Sequence, residues 1–323
     1  MRNHSKMLIN LIVPFCLSLA GANHPLQGQP AQNEPVQQPK SADLRVTEIA
    51  GLPDTKPNVK GLLTLDQEGL VFSNSTIHAS VPLNRIEAVS IGDERSEPGG
   101  KPGAIARKVI PYGGGPALGV IQNKTVGILT IEYRDAHEGY HGAVFVLPKK
   151  PAADIQHRLR ASIGPLPKTS AASCEAERAP DSVLVAPIKF TGVEVPAEYR
   201  VLLYEQLMTE LRQGHSSNVY FRAGDVSAGS GCTAMVLSVD VDAFKKGNAA
   251  VRGSTGPFGM FIGTTSIGYT VDLTDQSQRV LFEAHMKDKH RFDTESLGLA
   301  QEVARNVSKR LNKEMKPTFS SHI

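Results

Sequence analysis

The sequence predicts an α+β protein in two parts. The first is a bent β-sheet or partial barrel closed by one C-terminal helix, and the second is a β-α-β-β-β-β-α sandwich domain with an antiparallel meander. Three observations predict this. Period-two alternation, interrupted by turns rich in Gly and Asp, fills 61–147 and returns over 233–286. Apolar residues at helical spacing occur only over 151–163, 196–213 and 294–315. Hydrophobic residues make up 40% of the chain, but only 6% of residues are aromatic and Trp is absent, which leaves the cores to Val, Leu and Ile.

At 323 residues the chain is long for one compact domain and comfortable for two. It opens with a basic stretch containing Arg2 and Lys6, an apolar run from Met7 to Ala20, and Ala20-Gly21-Ala22. This is the pattern of an export signal over 1–22. Asn10 and Pro14 interrupt the run and it is too short to span a bilayer, so no transmembrane span is expected in the mature chain. Phe15 stands before Cys16 where a lipid-attachment signal needs a small residue, which argues against lipidation. Removing 1–22 takes away Arg2 and Lys6 and no acid, and the net charge falls from +3 to near zero. No global field then draws the protein to nucleic acid or anionic lipid. The expected location is the periplasm or the extracellular space of a bacterial envelope. There Cys174 and Cys232 are expected to form a disulfide.

Residues 23–57 are rich in Pro, Gln, Asn and Ala and read as a disordered linker. The first domain is placed at 58–163. Leu62–Leu65 and Leu70–Phe72 flank Asp66-Gln67-Glu68-Gly69 as a hairpin, and strands follow at Thr76–Val81 and Ile86–Ile91. A long Gly-containing loop, 93–123, leads to strands at Thr125–Tyr133 and Gly142–Leu147, and Ala152, Ile155, Leu159 and Ile163 define the closing helix. Arg107 and Lys108 give the loop a positive bias and are candidate binding residues.

Residues 164–180, with Pro165, Pro167 and Pro180, read as a second linker, and the second domain is placed at 181–316 with a disordered tail at 317–323. Ser182–Phe190 reads as a buried strand. Tyr199, Leu203, Leu207 and Leu211 form one stripe of a helix ended by Gly214. A short strand at Asn218–Arg222 precedes three alternating strands, over Thr233–Phe244, Ile267–Leu273 and Val280–Met286. The last helix carries Ala300, Val303, Ala304, Val307 and Leu311 on one face.

The strings Gly61-Leu62-Leu63-Thr64-Leu65, Val81-Pro82-Leu83-Asn84-Arg85-Ile86 and Leu129-Thr130-Ile131-Glu132-Tyr133 resemble those of the bacterial pleckstrin-homology-like domains over about 59–163. The resemblance implies a small bent sheet closed by a helix and implies no catalysis. Phosphoinositide-binding members carry basic residues in the first hairpin loop, and here that loop is Asp66-Gln67-Glu68, so headgroup binding is not implied. The Phe244-to-Arg252 string, the Gly-rich run to Gly263 and Tyr269-Thr270-Val271-Asp272-Leu273 are similar to an uncharacterised family of bacterial envelope lipoprotein domains, over about 181–315. A looser likeness of element order, to periplasmic domains of secretion-pore lipoproteins, implies a role in envelope assembly.

The one catalytic-looking string is His137-Glu138-Gly139-Tyr140-His141, a literal H-E-x-x-H. On a helix its two His share one face and bind zinc while the Glu polarises water. Here strand patterns stop at Arg134 and resume at Gly142, with Gly139 between them, so a hairpin turn is expected and no metal is assigned. The Gly253-to-Gly259 run has no following Lys-Ser or Lys-Thr, and Gly229-Ser230-Gly231 leads into a strand, so neither reads as a phosphate loop. The expectation is a non-catalytic exported protein with no cofactor, binding a protein or envelope component through Asn248, Arg252, Phe258 and Phe261. A homo-oligomer is among the assemblies allowed. The alternatives are a zinc hydrolase using His137 and His141, and a periplasmic carrier of a small ligand or anion.

Overall fold

The computed structural model describes residues 43–53, 55–96, 124–163, 179–214, 217–227, 232–246, 264–290 and 295–315. All lie in one compact unit, Ser41–Ile323. Arg107, Lys108, Cys174, Asn248, Arg252, Phe258 and Phe261 fall outside the described residues. Cys232 is disulfide-bonded.

The fold is α+β, and the described residues form two sheets and three α-helices. The first sheet contains β1 (Leu44–Ala50), β2 (Val59–Leu65), β3 (Gly69–Ser73), β4 (His78–Pro82), β5 (Ile86–Ser96), β6 (Lys124–Arg134) and β7 (Tyr140–Pro148). Its order is β4-β3-β2-β1-β7-β6-β5, antiparallel throughout, and it is not closed into a barrel. Helix α1 (Lys149–Ser162) follows directly from Pro148. Ala152, Ile155 and Leu159 of α1 complete a core with Leu63, Phe72, Leu129 and Phe145.

Short polar side chains set the hairpins. Asp66 Oδ1 accepts the N–H groups of Glu68 and Gly69 at 2.9 and 2.8 Å. Asn74 Oδ1 accepts those of Thr76 and Ile77, both at 2.8 Å. Asp135 Oδ1 accepts those of His137 and Gly139 at 2.8 and 2.9 Å. Such Asx turns offer the backbone a local substitute for the ladder and so reverse the chain where the strands end.

The second sheet contains β8 (Ala179–Val185), β9 (Lys189–Phe190), β10 (Val219–Arg222), β11 (Thr233–Lys245), β12 (Thr265–Asp275) and β13 (Val280–His290). Its order is β10-β8-β11-β12-β13, with β9 paired to β11. β8 runs parallel to both β10 and β11, and β11, β12 and β13 form the expected antiparallel meander. A parallel neighbour needs a crossover, and α2 (Ala197–Gln213) supplies it between β8 and β10. Helix α3 (Glu295–Glu314) packs beside α2.

Helix α2 joins the two sheets. Every residue from Val201 to Met208 is buried, as expected of a helix enclosed on all sides. Its cluster takes Ala50, Ile128 and Val144 from the first sheet and Val185, Leu237 and Tyr269 from the second. Two glycines let it approach the first sheet. A Cβ on Gly142 would lie 2.5 Å from Val201 Cγ1, and one on Gly92 would lie 2.9 Å from a carboxylate oxygen of Glu198.

Three expectations are corrected. Residues 44–50, placed in the disordered linker, form a central strand of the first sheet, because β2 and β7 pair with its two sides. The single strand expected over 182–190 is two, β8 and β9, separated at 186–188. The one-striped helix at 196–213 is buried beyond its stripe, at Val201, Leu202, Tyr204 and Met208.

Candidate functional site

The catalytic-looking string lies in the β6–β7 hairpin and at the start of β7. Its three functional side chains diverge. His137 sits at the exposed tip of the turn. Glu138 takes a left-handed φ of 65° and pairs with Arg85 at 3.3 Å. His141 points inward, with its Nε2 3.1 Å from Asp135 Oδ2, its Nδ1 3.6 Å from Glu205 Oε1 and its ring stacked on Tyr133 at 5.4 Å. A hairpin puts residues 137 and 141 at different stations, so the convergence a helix would supply is missing. Among the described residues no group of three or more His, Cys, Asp or Glu side chains could hold a metal ion.

These residues belong to a polar seam between the two sheets. Arg222 Nη1 and Nη2 donate to Glu205 Oε1 and Oε2, both at 2.8 Å. Glu205 Oε1 also accepts the Gly142 N–H at 3.1 Å, and Arg222 Nη1 donates to the Tyr140 carbonyl at 3.0 Å. The chain after β10 continues the contact, since the Tyr140 N–H donates to the Ala223 carbonyl and the Val226 N–H to the His137 carbonyl, each at 2.8 Å. Tyr204 of α2 accepts the Ala223 N–H at 2.9 Å and donates to the Val185 carbonyl at 3.1 Å. Low surrounding dielectric strengthens such bonds, and the seam acts as a set of structural clamps.

Two carboxyl groups here have displaced pKa values. Burial works against the charged form of Asp135, but the hydrogen bonds from His141, Gly139 and His137 outweigh it and hold the carboxyl well below its usual range. Glu48 of β1 is fully buried. Its Oε1 accepts the Leu52 N–H and the Thr55 hydroxyl at 3.4 Å, and its Oε2 has no hydrogen-bond partner among the described residues. Burial, opposed by Leu52 and Thr55 and reinforced by the Glu205 charge, pushes its pKa up to about 7.

Unlike the seam, one site is open. The register of β1 on β7 runs Ala50↔Val144, Glu48↔Phe145, Thr47↔Val146 and stops. Beyond Thr47, β1 pairs only with β2, and beyond Val146, β7 pairs only with β6. Pro148 explains the parting, because it has no N–H to give a ladder and it begins the turn into α1. Where this pairing ends lies a cleft of about 760 Å³, lined by Arg45 and Val46 of β1, Lys60 and Leu62 of β2, and Val146, Leu147 and Pro148 of β7. The β3–β4 turn, Ser73 to Ser75, closes one end. No acidic residue lines it. Arg45 and Lys60 have no ion-pair partner among the described residues, and both are exposed. Sequence reasoning missed this site because it assigned β1 to the linker. The local trace of β1 was the alternation of Leu44 and Val46, which the acid Glu48 interrupts.

No family model matches the chain, and no curated protein matches it. Among solved structures, a PelC dodecamer from Paraburkholderia phytofirmans is 16% identical, with 42% of this chain and 93% of that chain covered and a TM-score of 0.25. The hypothetical protein CT253 from Chlamydia trachomatis is 12% identical, covering 41% of this chain and 96% of that one at a TM-score of 0.29. Protein XCC0632 from Xanthomonas campestris, of family-model DUF330, is 14% identical, covering 45% and 90% at a TM-score of 0.26. At such scores neither fold nor function transfers.

Proposed function

We propose that this chain is a non-catalytic exported protein of the bacterial envelope that works by binding a protein partner. The observation that carries the reading is the open, acid-free cleft lined by β1, β2 and β7 where the pairing of β1 with β7 ends. The groups that could have done acid–base chemistry support it from the other side. His141, Glu205 and Arg222 are held by one another and by backbone, and none of them lines the cleft. The seven antiparallel strands followed by one helix support a pleckstrin-homology-like assignment for the first sheet. The apolar run at Met7 to Ala20 supports export, and no described helix is long and apolar enough to cross a membrane.

Crosslinking in intact cells, followed by fractionation and recovery of the full chain, tests this reading. A specific protein adduct in the envelope or external fraction is the expected result. A chain found in the cytoplasm without an adduct, or one that hydrolyses peptide or ester substrates until His141→Ala is introduced, would overturn it.

A further inference from the structure

The parted strands present backbone as well as side chains. The β7-facing edge of Leu44–Val46 has no strand partner among the described residues, because β7 leaves the ladder at Pro148. An unpaired strand edge beside a cleft is a template for an added strand, as in recognition by β-augmentation. Three residues of β1 correspond to about 10 Å of extended chain, so the template suits a short segment. The floor is apolar, since Val46 and Leu147 are 5% and 2% exposed. The upper face is basic. The pairs Arg45↔Leu62 and Thr47↔Lys60 make Arg45 and Lys60 diagonal neighbours on one face of the sheet.

Resting on the binding-module reading above, we propose that this cleft takes an extended acidic peptide segment of the partner as a strand added to the free edge of β1, where β7 parts from it. Its apolar residues alternate downward between Val46 and Leu147, and its carboxylates alternate upward to Arg45 and Lys60. Charge complementarity selects the occupant, because the lining offers two cations without an acid. Asp43 is the nearest acid before the cleft, and its Oδ1 is occupied by the Thr64 hydroxyl at 2.8 Å. Asn74 is engaged in its own turn and donates to the Lys60 carbonyl at 3.3 Å, so it shapes the end of the cleft.

Fluorescence anisotropy of the full chain with two labelled hexapeptides tests the proposal, one alternating valine with glutamate and the other valine with lysine. The glutamate peptide should bind saturably and at least tenfold more tightly. The double variant R45E/K60E, with both changes at exposed positions, should keep its melting temperature and invert the preference. N-methylation of alternate peptide nitrogens should abolish binding, since strand pairing needs those donors. Equal binding of both peptides, binding of neither, or an affinity unmoved by R45E/K60E or by N-methylation would overturn the proposal. So would phosphatidylglycerol vesicles that bind the wild type, fail to bind R45E/K60E, and do so without any peptide binding. The cell-crosslinking experiment separates the two levels. An adduct recovered equally with wild type and R45E/K60E leaves the binding-module reading standing and removes the cleft, whereas no adduct with either protein and no peptide binding removes both.

Discussion

Glu205 and Arg222 meet fork to fork, two N–H···O bonds of 2.8 Å each, with side chains only 6% and 8% exposed. One stands on α2 and the other at the end of β10, and the same carboxylate holds the Gly142 N–H of the first sheet. One strand from each sheet and the helix between them therefore depend on one ion pair. Removing a single partner leaves a buried charge uncompensated, which costs about 3–5 kcal/mol. Glu205→Leu and Arg222→Met should each lower stability by that amount in urea denaturation, and the double variant should lose clearly less than the sum. Losses that simply add would show that the pair is not coupled.

The approach of α2 to β7 predicts a second loss. Gly142→Ala places a methyl 2.5 Å from Val201 Cγ1, and overpacking of this kind costs about 1–3 kcal/mol. Val201→Ala in the same chain removes both clashing methyls and should recover much of the difference. Thermal unfolding of the two single variants and the double variant gives the comparison.

Glu48 sets a pH dependence. Its pKa is about 7 in the folded protein against 4.5 as the ordinary value, so between these the folded state keeps a proton that the unfolded state has lost. Its contribution is therefore fully present below about pH 4.5 and is lost as the pH rises through 7, a change on the order of 3 kcal/mol. Glu48→Gln should flatten the stability profile over that window. Asp135 acts in the opposite sense. Its carboxyl is held below its usual range, so its contribution is present above that range and is lost as the pH falls. Asp135→Asn should therefore remove stability at neutral pH and change little under strongly acid conditions. Denaturation midpoints measured from pH 4 to 8 would contradict the assignment if the Glu48→Gln and wild-type profiles ran parallel.

The two histidines of the string should behave differently. His137 is exposed at a turn tip, and His137→Ala should leave the melting temperature within experimental error. His141 stacks on Tyr133 and pairs with Asp135, so His141→Ala should cost about 1–3 kcal/mol. A pair of metal ligands would instead respond alike, and both variants would lose bound zinc measured by mass spectrometry.

The meander was readable because one buried face and one wet face impose strict alternation, as in Leu237, Val239 and Val241 against Ser238, Asp240 and Asp242. Strand β1 was hidden by Glu48, an acid on the buried side that broke the apolar pattern. Helix α2 was read as one-striped from Tyr199, Leu203, Leu207 and Leu211, and nothing in the run Val201-Leu202-Leu203-Tyr204 named the second neighbour that buries its other faces. The Glu205–Arg222 pair, 17 residues apart, joins elements whose meeting is set by the crossover and has no local signature. The H-E-x-x-H string could be judged from sequence because its flanking strands fixed the geometry. The cleft could not be, since it depends on where two strands stop pairing.

The burial of α2 on all sides bears on synthesis. The first sheet and its helix are complete by residue 163, yet the surface bearing Ile128, Gly142 and Val144 stays bare until residues 197–213 have left the ribosome. During that interval the nascent chain carries an uncovered greasy patch in the middle of a finished sheet. A fragment ending at 163 should therefore be sticky and poorly soluble.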